Sequence, residues 1–227
     1  MSLKILYEDE HFLAVEKPAG RLVIPGGTAG EVSIAQELSE VLGQKLFVVH
    51  RIDRDASGIV LFAKNAQAHR AACLEFEHRR AHKKYWAVVL GHLEGEGEID
   101  QPLREFGSGR MAVDKRGKPA KTRYRAVETF ESATLVEVEP LTGRRHQVRA
   151  HFYWLGHPVL GDRLYGHDRP VGNVARLMLH GHFLELEPQG HEPLSLSSDL
   201  PEDFRDILER LRSKKQEKTK DTKRASR

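Results

Sequence analysis

Phe47-Val48-Val49-His50-Arg51-Ile52-Asp53-Arg54-Asp55-Ala56-Ser57-Gly58-Ile59-Val60-Leu61-Phe62-Ala63 sets two apolar runs of strand length around a block of charge. Phe47–Val49 and Ile59–Ala63 lack polar alternation, so both read as strands buried on both faces. The intervening His50–Gly58 block holds His50, Arg51, Asp53, Arg54 and Asp55, too many charged groups to bury without partners, and Ser57-Gly58 supplies a turn. A polar segment gripped at both ends by buried strands can position a chemical group well. Residue types alone leave two other readings open. One is a charged hairpin with solvated side chains. The other is a carboxylate pair, Asp53 with Asp55, of the kind that hydrolyses glycosides.

Upstream of this block, Ile5–Tyr7 and Phe12–Val15 read as short strands around the polar turn Glu8-Asp9-Glu10-His11. The glycine-rich loop Pro25-Gly26-Gly27 leads into a helix with a capping box, Ser33 with Gln36, an apolar stripe of Ile34, Leu38, Val41 and Leu42, and a stop at Gly43. Downstream, Asn65 caps a helix to about Phe76, and the basic cluster Arg79-Arg80-Ala81-His82-Lys83-Lys84 precedes a strand at Tyr85–Leu90. Glu94–Gly117 reads as irregular or hairpin structure, and Tyr124–Phe130 with Thr134–Glu139 as a strand pair. Arg145–Leu155 has helical spacing, Met178–His180 and Phe183–Glu187 are strand-like, and a last helix spans about Leu200–Leu211, capped by Asp199 with Glu202. Strands outnumber helices and do not alternate with them. The expected fold is therefore α+β, with a mixed, largely antiparallel sheet core flanked by helices and loops.

The 227 residues, 30% charged and 39% apolar, suit a globular chain that buries its own core. No apolar run is long enough for a membrane span, no signal-peptide pattern opens the chain, and the single Cys73 excludes an internal disulfide. The expected compartment is the cytoplasm. Net charge is +3, but the last fifteen residues hold seven Lys/Arg against two acids, leaving −2 on the remaining 212. Residues 1–212 are thus expected as one domain and 213–227 as a basic, disordered tail; any nucleic acid must meet a local basic face.

Two further constellations could carry chemistry. In Thr142-Gly143-Arg144-Arg145-His146-Gln147-Val148-Arg149-Ala150-His151, Arg145 and Arg149 are expected on one helix face, and Arg144 and Gln147 at its anion-favouring start. A solvated basic face is the plain alternative. In Lys83-Lys84-Tyr85-Trp86, basic and aromatic residues interleave as RNA contacts do, although a strand tyrosine is more often core. No metal site is expected from the 13 histidines, which lack familiar ligand spacing, and no phosphate loop of the Walker or dinucleotide type is present.

Taken in order, these blocks resemble the pseudouridine synthases of the RluA type. The matching segments are Tyr7-Glu8-Asp9-Glu10, Glu16-Lys17-Pro18-Ala19-Gly20, His50–Gly58, Lys83-Lys84-Tyr85, Gly143–His151 and Gly156-His157-Pro158-Val159-Leu160-Gly161-Asp162, so the resemblance covers residues 5 to about 211. Ile52, Ala56 and Glu16 depart from the usual Leu, Thr and Asn, and none replaces a group that performs chemistry. The chain opens directly in the catalytic core, so the S4 domain of many relatives is expected to be absent. The resemblance implies a pseudouridine synthase fold and an isomerase that converts a specific uridine of ribosomal RNA or tRNA to pseudouridine by base flipping. It makes Asp53 the catalytic carboxylate, Tyr85 the aromatic residue against the base and Arg149 the basic partner of the Asp. Arg51, Arg144 and Gln147, with Lys83 and Lys84, are the expected RNA contacts. No metal or cofactor is implied, and a monomer is expected.

Overall fold

In the computed structural model the described residues are 3–26, 30–107, 109–166 and 174–225, with side chains described as far as 213; Gly27 of the expected glycine-rich loop lies outside them. They form two compact units that share the chain. The first holds residues 1–85 with 180–199, and the second 86–179 with 200–227.

The first unit is a sheet covered on both faces. Its strands are β1 (Lys4–Glu8), β2 (Phe12–Lys17), β3 (Phe47–Val48), β4 (Ser57–Ala63), most of β11 (Leu179–Leu186) and β12 (Leu194–Ser197), with helices α1 (Ile34–Leu42) and α2 (Ala66–Glu77). The order β1-β2-β4-β11 places β4 centrally, with β3 also on β4 and β12 on β11. The β4–β11 pair is parallel, and the β1–β2, β2–β4, β3–β4 and β11–β12 pairs are antiparallel.

Of the two apolar runs, Ile59–Ala63 is buried on both faces, whereas Phe47 and Val48 of β3 are only half-buried. Ile59, Leu61 and Ala63 of β4 pack with Ala68 and Ala72 of α2, whereas Val60 and Phe62 pack with Ile34 and Leu38 of α1. Every residue of β4 is buried, so from Ile59 to Ala63 both faces are apolar, and the one polar side chain, Ser57, has a hydrogen-bond partner in His180. Ser33 closes its capping box with Gln36, and the Asn65 side chain accepts from the Ala68 N–H at 2.9 Å, as the sequence requires.

The second unit carries the remainder of β5 (His82–Leu90), then β6 (Glu96–Asp100), β9 (Lys121–Thr129) and β10 (Ala133–Pro140), in the order β5-β10-β9-β6. Segment 94–117, expected as irregular or hairpin, resolves into β6 and a small antiparallel hairpin of β7 (Leu103–Glu105) and β8 (Met111–Val113). That hairpin packs Leu103 and Met111 against Ala150 of α3 (Gln147–Trp154) and against Tyr165.

Three readings are corrected. Met178–His180 and Phe183–Glu187 are not separate strands, because Gly181 and His182 continue one strand, β11, and β12 went unread. Helix α3 begins at Gln147, not Arg145, because His146 takes a left-handed backbone (φ 51°) and breaks the helical path before it. Helix α4 (Glu202–Ala225) runs past Leu211, where its apolar stripe ends, through a stretch of Lys, Glu and Gln without Gly or Pro. No helix of the described residues is long and apolar enough to cross a membrane.

Candidate active site

The charged block between β3 and β4 is a loop, and Asp53 stands in it half-buried at the head of a turn closed by the Ala56 N–H on the Asp53 carbonyl (3.2 Å). Asp55 follows on that turn and is exposed. The loop is braced from below. Lys17, wholly buried at the end of β2, donates its ammonium to the carbonyls of Pro18 (2.9 Å), Arg21 (2.8 Å) and Arg54 (2.8 Å). The Gly20 N–H also reaches the Arg54 carbonyl at 2.9 Å, so the residue after Asp53 is held at two points.

The other side of the loop is fixed by β4 and β11. Ser57 and His180 face each other in the parallel register, and Ser57 Oγ lies 2.8 Å from His180 Nδ1. Gly58 and Gly181 pair next to them. A Cβ on Gly58 would stand 2.3 Å from the Gly181 carbonyl oxygen, so only glycine permits this approach. A Cβ on Gly181 would meet the Tyr85 ring at 3.2 Å, so the ring rests against bare backbone.

Tyr85 and Asp53 are brought together in this unit. Burial, with the Asp53 charge as the second cause, pushes the Tyr85 phenol far above its ordinary value. Tyr85 is therefore an un-ionised ring at any working pH. His50, at the start of the loop, accepts the Leu61 N–H on Nε2 (3.2 Å) and stacks on Phe76. Burial, then the Lys83 charge, lowers its pKa to about 3, so it is neutral. Lys83 lies over the Phe76 ring, and burial lowers its pKa to about 8. Lys84 points to the other face of β5, over Phe183. Arg51 is exposed.

Arg149 belongs to the second unit, where α3 buries it. Its Nε donates to Asp162 Oδ2 at 2.7 Å and its Nη2 to Asp162 Oδ1 at 2.8 Å. Tyr165, fully buried, lies beneath both the Arg149 and Arg110 guanidinium groups, at 5.1 and 4.9 Å from ring centre. Its hydroxyl accepts the Met111 N–H at 2.8 Å.

The expectation that Arg145 and Arg149 share a helix face is overturned: Arg145 precedes α3, is exposed, and pairs with Glu105 at 2.6 Å. Gln147, expected at the RNA surface, is buried. Its oxygen accepts from Thr142 Oγ1 and the Arg144 N–H, and its amide donates to the Lys121 carbonyl and Thr122 Oγ1. Arg144 is half-buried and donates to the Pro119 carbonyl. Asp162 and Tyr165 were given no role by the sequence reading; the signal available for Asp162 was its place at the end of the Gly156–Asp162 segment.

Comparison with known proteins gives these features a context. Residues 11–154, which include Asp53, Tyr85 and Arg149, match the family model of the RNA pseudouridylate synthases. A ribosomal large subunit pseudouridine synthase D of Nitrosomonas europaea is 37% identical over 93% of this chain, which spans 66% of that protein's length. A tRNA pseudouridine synthase C of Salmonella typhi is 36% identical over 91% of this chain and 88% of its own. Among solved structures, human RNA pseudouridylate synthase domain containing 1 superposes with a TM-score of 0.77 at 28% identity, over 88% of this chain and 84% of that one. Both the fold and these relatives lead to one conclusion: the chain belongs to the RNA pseudouridylate synthase family.

Proposed function

We propose that this protein isomerises a uridine in RNA to pseudouridine, with Asp53 as the catalytic carboxylate. The observation that carries the reading is the pairing of a braced, half-buried Asp53 with an un-ionised Tyr85 ring. The reaction breaks the N1–C1′ bond, turns the base, and joins C5 to C1′; C5 gives up a proton and N1 gains one, so mass is unchanged. A carboxylate near C1′ or C6 serves that chemistry while ionised, and a ring packed against backbone keeps the loosened base in place. Arg149, held in a fixed orientation by Asp162, is the arginine of the reaction centre. A uridine stacked in RNA cannot present its glycosidic bond, so the nucleotide is flipped out. Arg51, Arg144, Lys83 and Lys84 are the proposed contacts to the surrounding RNA.

The substrate is ribosomal RNA or tRNA, a reading supported by the names of the relatives. The protein is proposed to act as a cytoplasmic monomer. A two-carboxylate hydrolase is disfavoured by the exposure of Asp55 on the turn. Carbodiimide mapping of RNA from cells with and without the protein identifies the site. Restoring Asp53→Asn in place of the parent should leave that site unmodified, with folding and RNA affinity kept. Modification by the variant would sink the assignment, and release of free uracil would favour hydrolysis.

A further inference from the structure

The residues that close α2, His78, Arg79 and Arg80, have no part in the chemistry above, and their backbone is unusual. After the C-cap residue His78, Arg79 takes a left-handed φ of 60°. The Arg79 N–H bonds the Phe76 carbonyl at 3.2 Å and the Arg80 N–H the Glu75 carbonyl at 2.8 Å, the paired closure of a Schellman turn. Helix α1 ends in the same way: Gly43 has φ 62°, its N–H bonds the Glu40 carbonyl, and the Gln44 N–H bonds the Ser39 carbonyl. One helix uses glycine at the left-handed position and the other uses arginine. A side chain strains that position, so an arginine held there points to what its side chain does.

The neighbouring cations are divided in use. Arg80 folds back on the buried Glu75 carboxylate, with Nε 3.1 Å from each oxygen, and donates Nη1 to His78 Nδ1 at 2.7 Å. That bond engages Nδ1 of the exposed His78 and leaves Nε2 as the ring nitrogen not used by Arg80. Arg79, His78 and His82 are exposed, with Glu77 as the adjacent exposed carboxylate. Among the described residues, the Arg79 side chain makes no hydrogen bond or ion pair. His82 opens β5, and Tyr85 follows three residues later, about 10 Å along the strand at roughly 3.3 Å per residue. That separation is about three base-pair steps of roughly 3.4 Å.

We propose that the α2–β5 turn is a phosphate-binding corner for the substrate RNA, in which Arg79, with His78, holds the backbone about three nucleotides from the target uridine. The inference rests on RNA being the substrate. It is tested on the full chain by anisotropy, with labelled tRNA and ribosomal RNA fragments from cells lacking the protein, across a salt series. Arg79→Gly should weaken binding about five- to tenfold and flatten the log–log salt slope by about one, while Arg79→Lys keeps most of the affinity. The melting temperature of Arg79→Gly should equal or exceed the parent's, since glycine suits the turn. Unchanged affinity and slope would overturn the proposal, and so would a lowered melting temperature, which makes Arg79 structural. Failure of the parent chain to form pseudouridine would count against the activity instead, because the binding measurement stands apart from it.

Discussion

Arg149 and Asp162 form a two-point fork, with Nε to Oδ2 at 2.7 Å and Nη2 to Oδ1 at 2.8 Å, both side chains buried. The same Asp162 Oδ1 accepts the backbone N–H groups of Leu164 (2.9 Å) and Tyr165 (3.0 Å). One carboxylate thus orients the arginine and shapes the loop that brings Tyr165 under it. Removing one partner of a buried ion pair costs about 3–5 kcal/mol. Asp162→Ala should lose about that much in denaturant unfolding, and its residual pseudouridine formation should fall in kcat more than in KM. A loss under 1 kcal/mol would mean that the fork does not hold the arginine.

Tyr85 makes a second prediction. Burial and the Asp53 charge keep its phenol protonated, so it cannot act as a base near neutral pH. Tyr85→Phe should retain pseudouridine formation within about tenfold, as expected of a group that works through its ring. Tyr85→Ala should abolish it. The parent's pH–rate profile should show no limb from this residue between pH 7 and 10. If Tyr85→Phe is as inactive as Tyr85→Ala, the hydroxyl takes part in chemistry.

His50 sets an acid limit on stability. Its folded pKa is about 3 against an ordinary 6.5, so below pH 6.5 the unfolded chain binds a proton that the folded chain refuses. Its contribution is fully present above pH 6.5 and is lost progressively as pH falls toward 3, at up to about 1.4 kcal/mol per unit. His50→Gln keeps an acceptor for the Leu61 N–H without the titration. Urea unfolding between pH 4 and 7 should show a shallower decline for the variant. Identical slopes would place the acid sensitivity elsewhere.

The two glycines of the β4–β11 pair separate stability from positioning. Gly58→Ala drives a Cβ into the Gly181 backbone, with no flexible atom to give way, and should cost roughly 3 kcal/mol or prevent folding. Gly181→Ala instead presses on the Tyr85 ring at 3.2 Å. It should leave the melting temperature nearly unchanged and slow the reaction about tenfold, since a displacement well under 1 Å is enough to misplace a reacting group. Equal stability losses in the two variants would refute this division.

Local rules carried much of this far from any structure. Ser33 with Gln36, Gly43 and Asn65 mark helix ends by groups that satisfy their own turn's backbone, and each is found in that role. The apolar run of β4 announced a strand covered on both faces. The Met178–Glu187 stretch misled, because Gly181 reads as a break, whereas here it admits Gly58 and the Tyr85 ring at close range. Gln147 misled for a similar reason: a polar side chain at a helix start suits an anion, yet this one spends its groups inside the protein.

By itself, then, the sequence determined both ends of α1, the start of α2, the central strand and the position of Asp53 in a polar loop between strands, since each depends on residues within a few positions of one another. Only tertiary structure decided that Lys17 braces that loop, that His180 faces Ser57 across 123 positions of chain, and that Arg149 forks onto Asp162. Those contacts join residues far apart in the chain through strand register and burial. A buried charge must be given partners wherever the fold brings them, and residue spacing does not say which ones arrive.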